Sequence, residues 1–188
     1  MKDLSVIFFV MMTCTACGGG GASGSSGASG SSGVPGSTNA PDMQGMLNVH
    51  NQERALVNSI PLLWSDQLAD YAQTWANHLA NSGCHLVHRT NAEDTLGTGE
   101  NLAWYSSYGG APQNVGSAHP AQDWADEKVD YSYVSNSCAA GKACGHYTQM
   151  VWNTTLNVGC ARSICPDNGQ IWVCNYSPPG NYIGVKPY

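Results

Sequence analysis

Cysteine placement constrains this chain more than any other feature. Six of its eight cysteines, Cys84, Cys138, Cys144, Cys160, Cys165 and Cys174, lie in the C-terminal two thirds. The other two, Cys14 and Cys17, sit at the end of an N-terminal export signal. Lys2 supplies its short charged region, and Leu4 to Met12 are almost continuously apolar, a run too short to cross a bilayer as a helix. An even cysteine count in an exported chain reads as three disulfides. A zinc ribbon would need CxxC pairs, and the six cysteines beyond the signal form none.

The signal ends in Thr13-Cys14-Thr15-Ala16-Cys17-Gly18. A small residue before a cysteine, then glycines, resembles a bacterial lipoprotein signal over residues 1–17, with Cys17 as the lipidated first mature residue. The alternative is an ordinary secretory signal cleaved near Ala16. Residues 18–40 are mostly Gly and Ser, a tether that cannot bury a core. Lipid on Cys17 would anchor the protein to a membrane without spanning it, which predicts an extracellular or cell-envelope location. The folded domain then covers residues 41–188, enough chain for one core. With a net charge of −6 and seven scattered Lys and Arg, the chain has no basic stripe to meet phosphates, so nucleic acid is excluded as a partner. Nothing in the sequence sets the oligomeric state.

Asp42 can cap a first helix from about Met43 to Asn58, with His50 and Arg54 turned toward its apolar side. Leu62-Leu63-Trp64 reads as a connector. Ser65 or Asp66 caps a second helix, whose Leu68, Tyr71, Ala72, Trp75, Ala76 and Leu79 share one face, and Gly83 ends it. An irregular loop follows from Cys84 to about Thr98. A third helix is predicted to start near Pro120, with Glu127 on nearly the same face as Trp124. Tyr147 to Trp152, Val158 to Ile164 and Gln170 to Tyr176 read as strands of an antiparallel meander. Helices followed by strands give an α+β fold.

Five stretches carry a resemblance: His50-Asn51-Gln52-Glu53-Arg54, Pro61 to Ala69, Gly99-Glu100-Asn101-Leu102-Ala103-Trp104, Gly145 to Trp152, and Cys174 to Gly184. In these motifs and their order, the chain from about Met43 to Tyr188 resembles the CAP superfamily of cysteine-rich secretory, antigen 5 and pathogenesis-related class-one proteins. It is most similar to the plant class, through Asn136-Ser137-Cys138 before Cys144-Gly145-His146 and the closing Lys186-Pro187-Tyr188. The resemblance implies an α-β-α sandwich, with helices packed on a small antiparallel sheet. It also implies the pairings Cys84–Cys165, Cys138–Cys144 and Cys160–Cys174. Finally, it implies a solvent-filled cavity flanked by two His and two Glu, here His88, Glu100, Glu127 and His146. Arg89 departs from the serine that often follows the first of these histidines.

Two imidazoles and two carboxylates can bind a divalent ion such as zinc, act as general acid and base, or form a structural hydrogen-bonded network. No cofactor is required by the sequence. Neither GxSxG nor HExxH marks a nucleophile or zinc helix, and no cysteine is left free for catalysis. The expected function is therefore an extracytoplasmic binding domain for a small apolar ligand (a sterol or fatty acid), a divalent metal, or both. A peptidase or esterase using the four residues is one alternative. A precursor releasing residues 178–188 is another, against a C-terminal segment that simply packs on the sheet. His50 reads as a satisfied structural residue, and His78 and His119 as surface or capping residues.

Overall fold

The computed structural model describes residues 42–188. The expected signal, Cys17 and the tether lie outside the described residues. Helix α1 (Gln44–Leu56) starts where Asp42 Oδ1 accepts the Gln44 N–H at 2.9 Å, and it turns Met46, Val49, His50, Glu53 and Arg54 inward. The supposed connector contains a two-residue strand, β1 (Leu63–Trp64). Helix α2 (Asp66–Asn81) is capped by Ser65 Oγ, which accepts the Leu68 N–H at 3.3 Å. Its predicted apolar stripe is buried except for Tyr71 at the margin. Gly83 takes the left-handed φ of 96° that ends such helices.

The loop of residues 84–98 leads into β2 (Gly99–Tyr105), a strand inside a motif whose conformation the sequence left unassigned. A small hairpin, β3 (Ser107–Tyr108) and β4 (Ala111–Pro112), follows. Helix α3 (Ala118–Asp126) begins two residues before Pro120, which still lies in the first turn, where no N–H is needed. It tightens into a 3₁₀ turn, Glu127–Asp130. After the hairpin of β5 (Tyr131–Ser132) and β6 (Ser137–Cys138) comes helix α4 (Gly145–Met150), then β7 (Asn157–Ile164) and β8 (Gln170–Ser177).

Helix α4 corrects the expected strand over Tyr147 to Trp152. The aromatic and β-branched run suggested a strand, but the backbone closes on itself. Thr148 N–H donates to Cys144 O at 3.0 Å, and Val151 N–H to Tyr147 O at 3.1 Å. Helical spacing buries Tyr147 and Met150 together. The sheet is consequently not a simple meander. Its order is β1-β7-β8-β2, with β7, β8 and β2 antiparallel and β1 parallel to β7.

Helices cover both faces of this sheet. Along β8, Trp172, Cys174 and Tyr176 enter the cluster formed with α1, α3 and α4, while Ile171 and Val173 enter the one formed with α2. That alternation is the sandwich the resemblance implied. Gly159 on β7 lets α2 approach, because a Cβ there would run into the backbone of Ser65, Leu68 and Ala69. The disulfides are Cys84–Cys165, Cys138–Cys144 and Cys160–Cys174. The first ties the loop after α2 to the end of β7.

Candidate functional site

The four expected site residues form two histidine–carboxylate pairs. Glu127 leads the 3₁₀ turn after α3, and His146 is the second residue of α4. The Nδ1 atom of His146 lies 2.6 Å from Glu127 Oε1. Glu127 Oε2 accepts the backbone N–H of His146 at 3.0 Å and of Tyr147 at 3.1 Å. One carboxylate thus orients the ring and satisfies the first amides of α4. Burial pushes the Glu127 carboxyl up, but the His146 bond, the charge of that ring and the two amides outweigh it, and the group titrates below its usual value. The His146 ring stacks on Trp124, with centroids 5.9 Å apart.

The second pair rests on the loop and β2. His88 Nδ1 lies 2.9 Å from Glu100 Oε1, which also accepts the Arg89 backbone N–H at 3.2 Å. Glu100 Oε2 accepts from Arg89 Nη1 at 2.9 Å. The His88 side chain is 61 % exposed, whereas Glu100 and Arg89 are 9 % and 5 % exposed. A cleft of about 200 Å³ is lined by His88, Arg89, Asn91, Asp94, Thr98 and Glu100. Neither Glu127 nor His146 lines that cleft.

The two pairs flank the start of β2. Asn101 and Ala103 face the α1, α3 and α4 side, where Asn101 Nδ2 donates to His146 O at 3.1 Å and to Tyr176 Oη at 3.0 Å. Leu102 packs against α2, and Glu100 shares its side through Arg89, whose guanidinium lies 3.8 Å from the centre of the Tyr71 ring. The Tyr71–Trp75 stripe is therefore core with a cation stacked on its margin. Tyr176 Oη in turn meets His50 Nε2 at 2.7 Å, and His50 Nδ1 donates to Met46 O at 2.8 Å. Burial, helped by the charge of Arg54 and opposed by the Met46 bond, lowers the His50 pKa to about 4. His50 is thus a neutral structural residue. His78 stacks on Trp75 and His119 lies against Tyr105.

Arg89, Asn101, Asn175 and Tyr176 are site residues that the sequence reading did not assign. All but Arg89 stand inside the motifs quoted above, so their positions were visible while their partners were not.

The donor chemistry decides whether a metal fits. A neutral imidazole that donates Nδ1–H to a carboxylate keeps its lone pair on Nε2, the arrangement found behind metal-bound histidines. Glu100 and Glu127 are already engaged by donors, so the imidazole Nε2 atoms are the donors this set would offer a zinc-type ion, with carboxylates behind the rings. Among the described residues, the only three ligand-type side chains with donor atoms all within 4.8 Å of one another are Cys84, Cys165 and Asp167. Those two sulfurs are bonded to each other and offer no thiolate. As for acid–base chemistry, no hydroxyl or thiol among the described residues bonds to the ring of His88 or His146.

Two other features bear on function. A groove of about 300 Å³ beside α1 is lined by Asp42, Met43, Gln44, Leu47 and Trp64. The C-terminal segment is held at several points. Gly180 N–H donates to Gln149 Oε1 at 3.0 Å, Asn181 Nδ2 donates to Gly145 O at 2.8 Å, and Asn153 N–H donates to Pro187 O at 2.7 Å. Tyr188 stacks on Tyr133 at 4.6 Å. The segment packs mainly on α4 and its neighbouring loops.

Comparison with known proteins agrees with this architecture. The family model described as CAP, the cysteine-rich secretory protein family, matches residues 47–176. Pathogenesis-related protein 1C of Nicotiana tabacum is 46 % identical over 145 residues, covering 77 % of this chain and 80 % of the relative. Pathogenesis-related protein PR-1 of Medicago truncatula is 46 % identical over 139 residues, covering 73 % and 74 %. Among solved structures, the venom allergen-like protein 4 of Schistosoma mansoni superposes with a TM-score of 0.60 at 27 % identity, covering 77 % of this chain and 94 % of that one. A structure of NaASP2 with Zn2+ superposes at 0.62 and 23 % identity, covering 81 % and 88 %, a likeness of fold.

Proposed function

Because this chain belongs to the CAP family of cysteine-rich secretory proteins, we propose that it is an exported binding domain that takes a zinc-type divalent ion through the Nε2 atoms of His88 and His146. The observation that carries this reading is the pairing of each Nδ1 with a carboxylate, Glu100 at 2.9 Å and Glu127 at 2.6 Å. Each pair presents an oriented ring whose Nε2, when it carries the lone pair, is a borderline ligand suited to zinc. Water would complete such a shell.

The test is zinc titration of the isotope-labelled protein, followed at the imidazole nitrogens. The Nε2 signals of His88 and His146 should shift together and saturate. A response confined to His78, His85 and His119 would reduce the zinc to surface binding and refute the reading.

A second reading has its own support. The groove at Met43, Leu47 and Trp64, at about 300 Å³, lies at the lower end of the roughly 300–1,000 Å³ spanned by ligand pockets. It would suit an acyl chain better than a sterol. Displacement of a fluorescent fatty acid, abolished by Leu47→Trp, would support it, and the absence of saturable uptake would remove it.

The hydrolase alternative would need a nucleophile that neither imidazole carries as a hydrogen-bond partner. Release of residues 178–188 would have to break the contacts of Gly180, Asn181, Pro187 and Tyr188. As for export, we propose attachment through lipid on Cys17. Metabolic labelling with a fatty-acid analogue should mark the wild type and spare Cys17→Ser, and an unlabelled wild type would point to free secretion.

A further inference from the structure

We propose that Arg89 is a built-in counter-ion that keeps divalent metal off Glu100, so that the carboxylate serves only behind the His88 ring and the affinity of the site is set by this guanidinium. The inference rests on the zinc reading above and names the residue that limits it.

Arg89 is seated by three elements of the fold at once. Its Nη1 donates to Glu100 Oε2 of β2 at 2.9 Å and to Asn175 Oδ1 of β8 at 3.1 Å. Its Nη2 donates to Tyr71 O of α2 at 2.5 Å and to Thr74 Oγ1 at 3.3 Å. Its plane covers the Tyr71 ring at 3.8 Å and lies 5.0 Å from the centre of Trp75. Asn175 is itself oriented, with Nδ2 donating to Thr98 Oγ1 at 3.0 Å, so its oxygen is left for the arginine. With 5 % of its side chain exposed, this guanidinium is not a swinging arm. It places a positive charge 2.9 Å from Glu100 Oε2.

Two consequences follow for a cation. Glu100 has no idle oxygen: Oε1 is shared by His88 Nδ1 and the Arg89 amide, and Oε2 is taken by the guanidinium. A second positive charge entering the same cleft meets Arg89, which lines it, across a short, partly desolvated distance where Coulomb repulsion is strong. The opposite pair differs. Glu127 is engaged by the His146 ring and by two backbone amides, and among the described residues no Lys or Arg side chain bonds to it. The site is therefore asymmetric, with Glu100 paired to a guanidinium and Glu127 bound by the His146 ring and backbone amides.

Zinc titration calorimetry of the whole protein would test this with wild type, Arg89→Met, Arg89→Met/Glu100→Gln and His146→Ala. Methionine keeps the apolar cover over Tyr71 while removing the charge. Arg89→Met should bind zinc about tenfold tighter or more, the scale on which carboxylates around metal-bound imidazoles act. The double variant should return to the wild-type affinity. Equal affinities in wild type and Arg89→Met, with binding lost in His146→Ala, would overturn the role of Arg89 while leaving the zinc reading intact. Zinc binding in none of the four proteins would overturn both. Near-ultraviolet circular dichroism would confirm folding. If Arg89→Met does not fold, Arg89→Lys, which cannot span Glu100, Asn175 and Tyr71 together, should tighten binding severalfold, and unchanged binding there would equally refute the proposal.

Discussion

Glu127 concentrates the residue-scale logic of the site. It accepts one bond from the His146 ring and two from the backbone of α4. Hydrogen bonds to a charged group contribute about 1.5–3 kcal/mol each, so Glu127→Gln should lose about 2–3 kcal/mol in urea unfolding at neutral pH. Because the folded carboxyl titrates below 4.5, the stabilisation is present above that pH and fades as pH falls through the folded value. The gap between wild type and variant should therefore close in acid. His50 acts with the opposite charge logic. Its folded pKa is about 4 against 6.5 in a free chain, so below pH 6.5 the unfolded state gains a proton that the folded state refuses. That should remove about 3 kcal/mol of stability between pH 6.5 and 4. His50→Gln should flatten this part of the stability profile, and an unchanged slope would show that His50 does not carry it. Arg54 shows why identity alone is not legible as role. Its pattern position predicted burial, but not that it would bridge Ile60 O, Met150 O, Trp152 O and Thr155 O.

At the scale of elements, the Cys84–Cys165 bridge controls the loop that carries His88 and Arg89. It closes a separation of 81 residues, against 6 for Cys138–Cys144. In the chain-entropy account, the long closure contributes about 4–5 kcal/mol and the short one about 2. Replacing Cys84 and Cys165 by serine should therefore cost more in unfolding than replacing Cys138 and Cys144, and should raise amide exchange over residues 85–98. The reverse order would show that the short bridge, by bracing the approach to α4, matters more than loop closure. Helix α2 was readable because its stripe repeats every three to four residues behind a serine cap. Strands β7 and β8 were readable from their β-branched and aromatic runs between turns. Helix α4 was not, because six residues show little periodicity and a distant Glu127 supplies its first bonds. The parallel pairing of β1 with β7 was also invisible, since two residues carry no pattern.

For the whole molecule, the motifs identified the family and its disulfides, and the folded layers explain why those motifs recur together. Residues from the 84–98 loop, β2, the turn after α3, and α4 meet around the start of β2, held there by a sheet with helices on both faces. The pairing of His88 with Glu100 and of His146 with Glu127 depends on that assembly, as does the seat of Arg89 among α2, β2 and β8. None of these contacts is local in sequence, so spacing alone could nominate the residues without partnering them. The central claim is that the two imidazoles act as one ligand set. Its most direct test is the zinc isotherm of the folded protein beside its His88→Ala and His146→Ala forms. Both substitutions should weaken binding tenfold or more, as expected for loss of one of two ligands or of its orientation (about 10- to 100-fold for the supporting partners alone). Wild-type affinity in either variant would contradict the account.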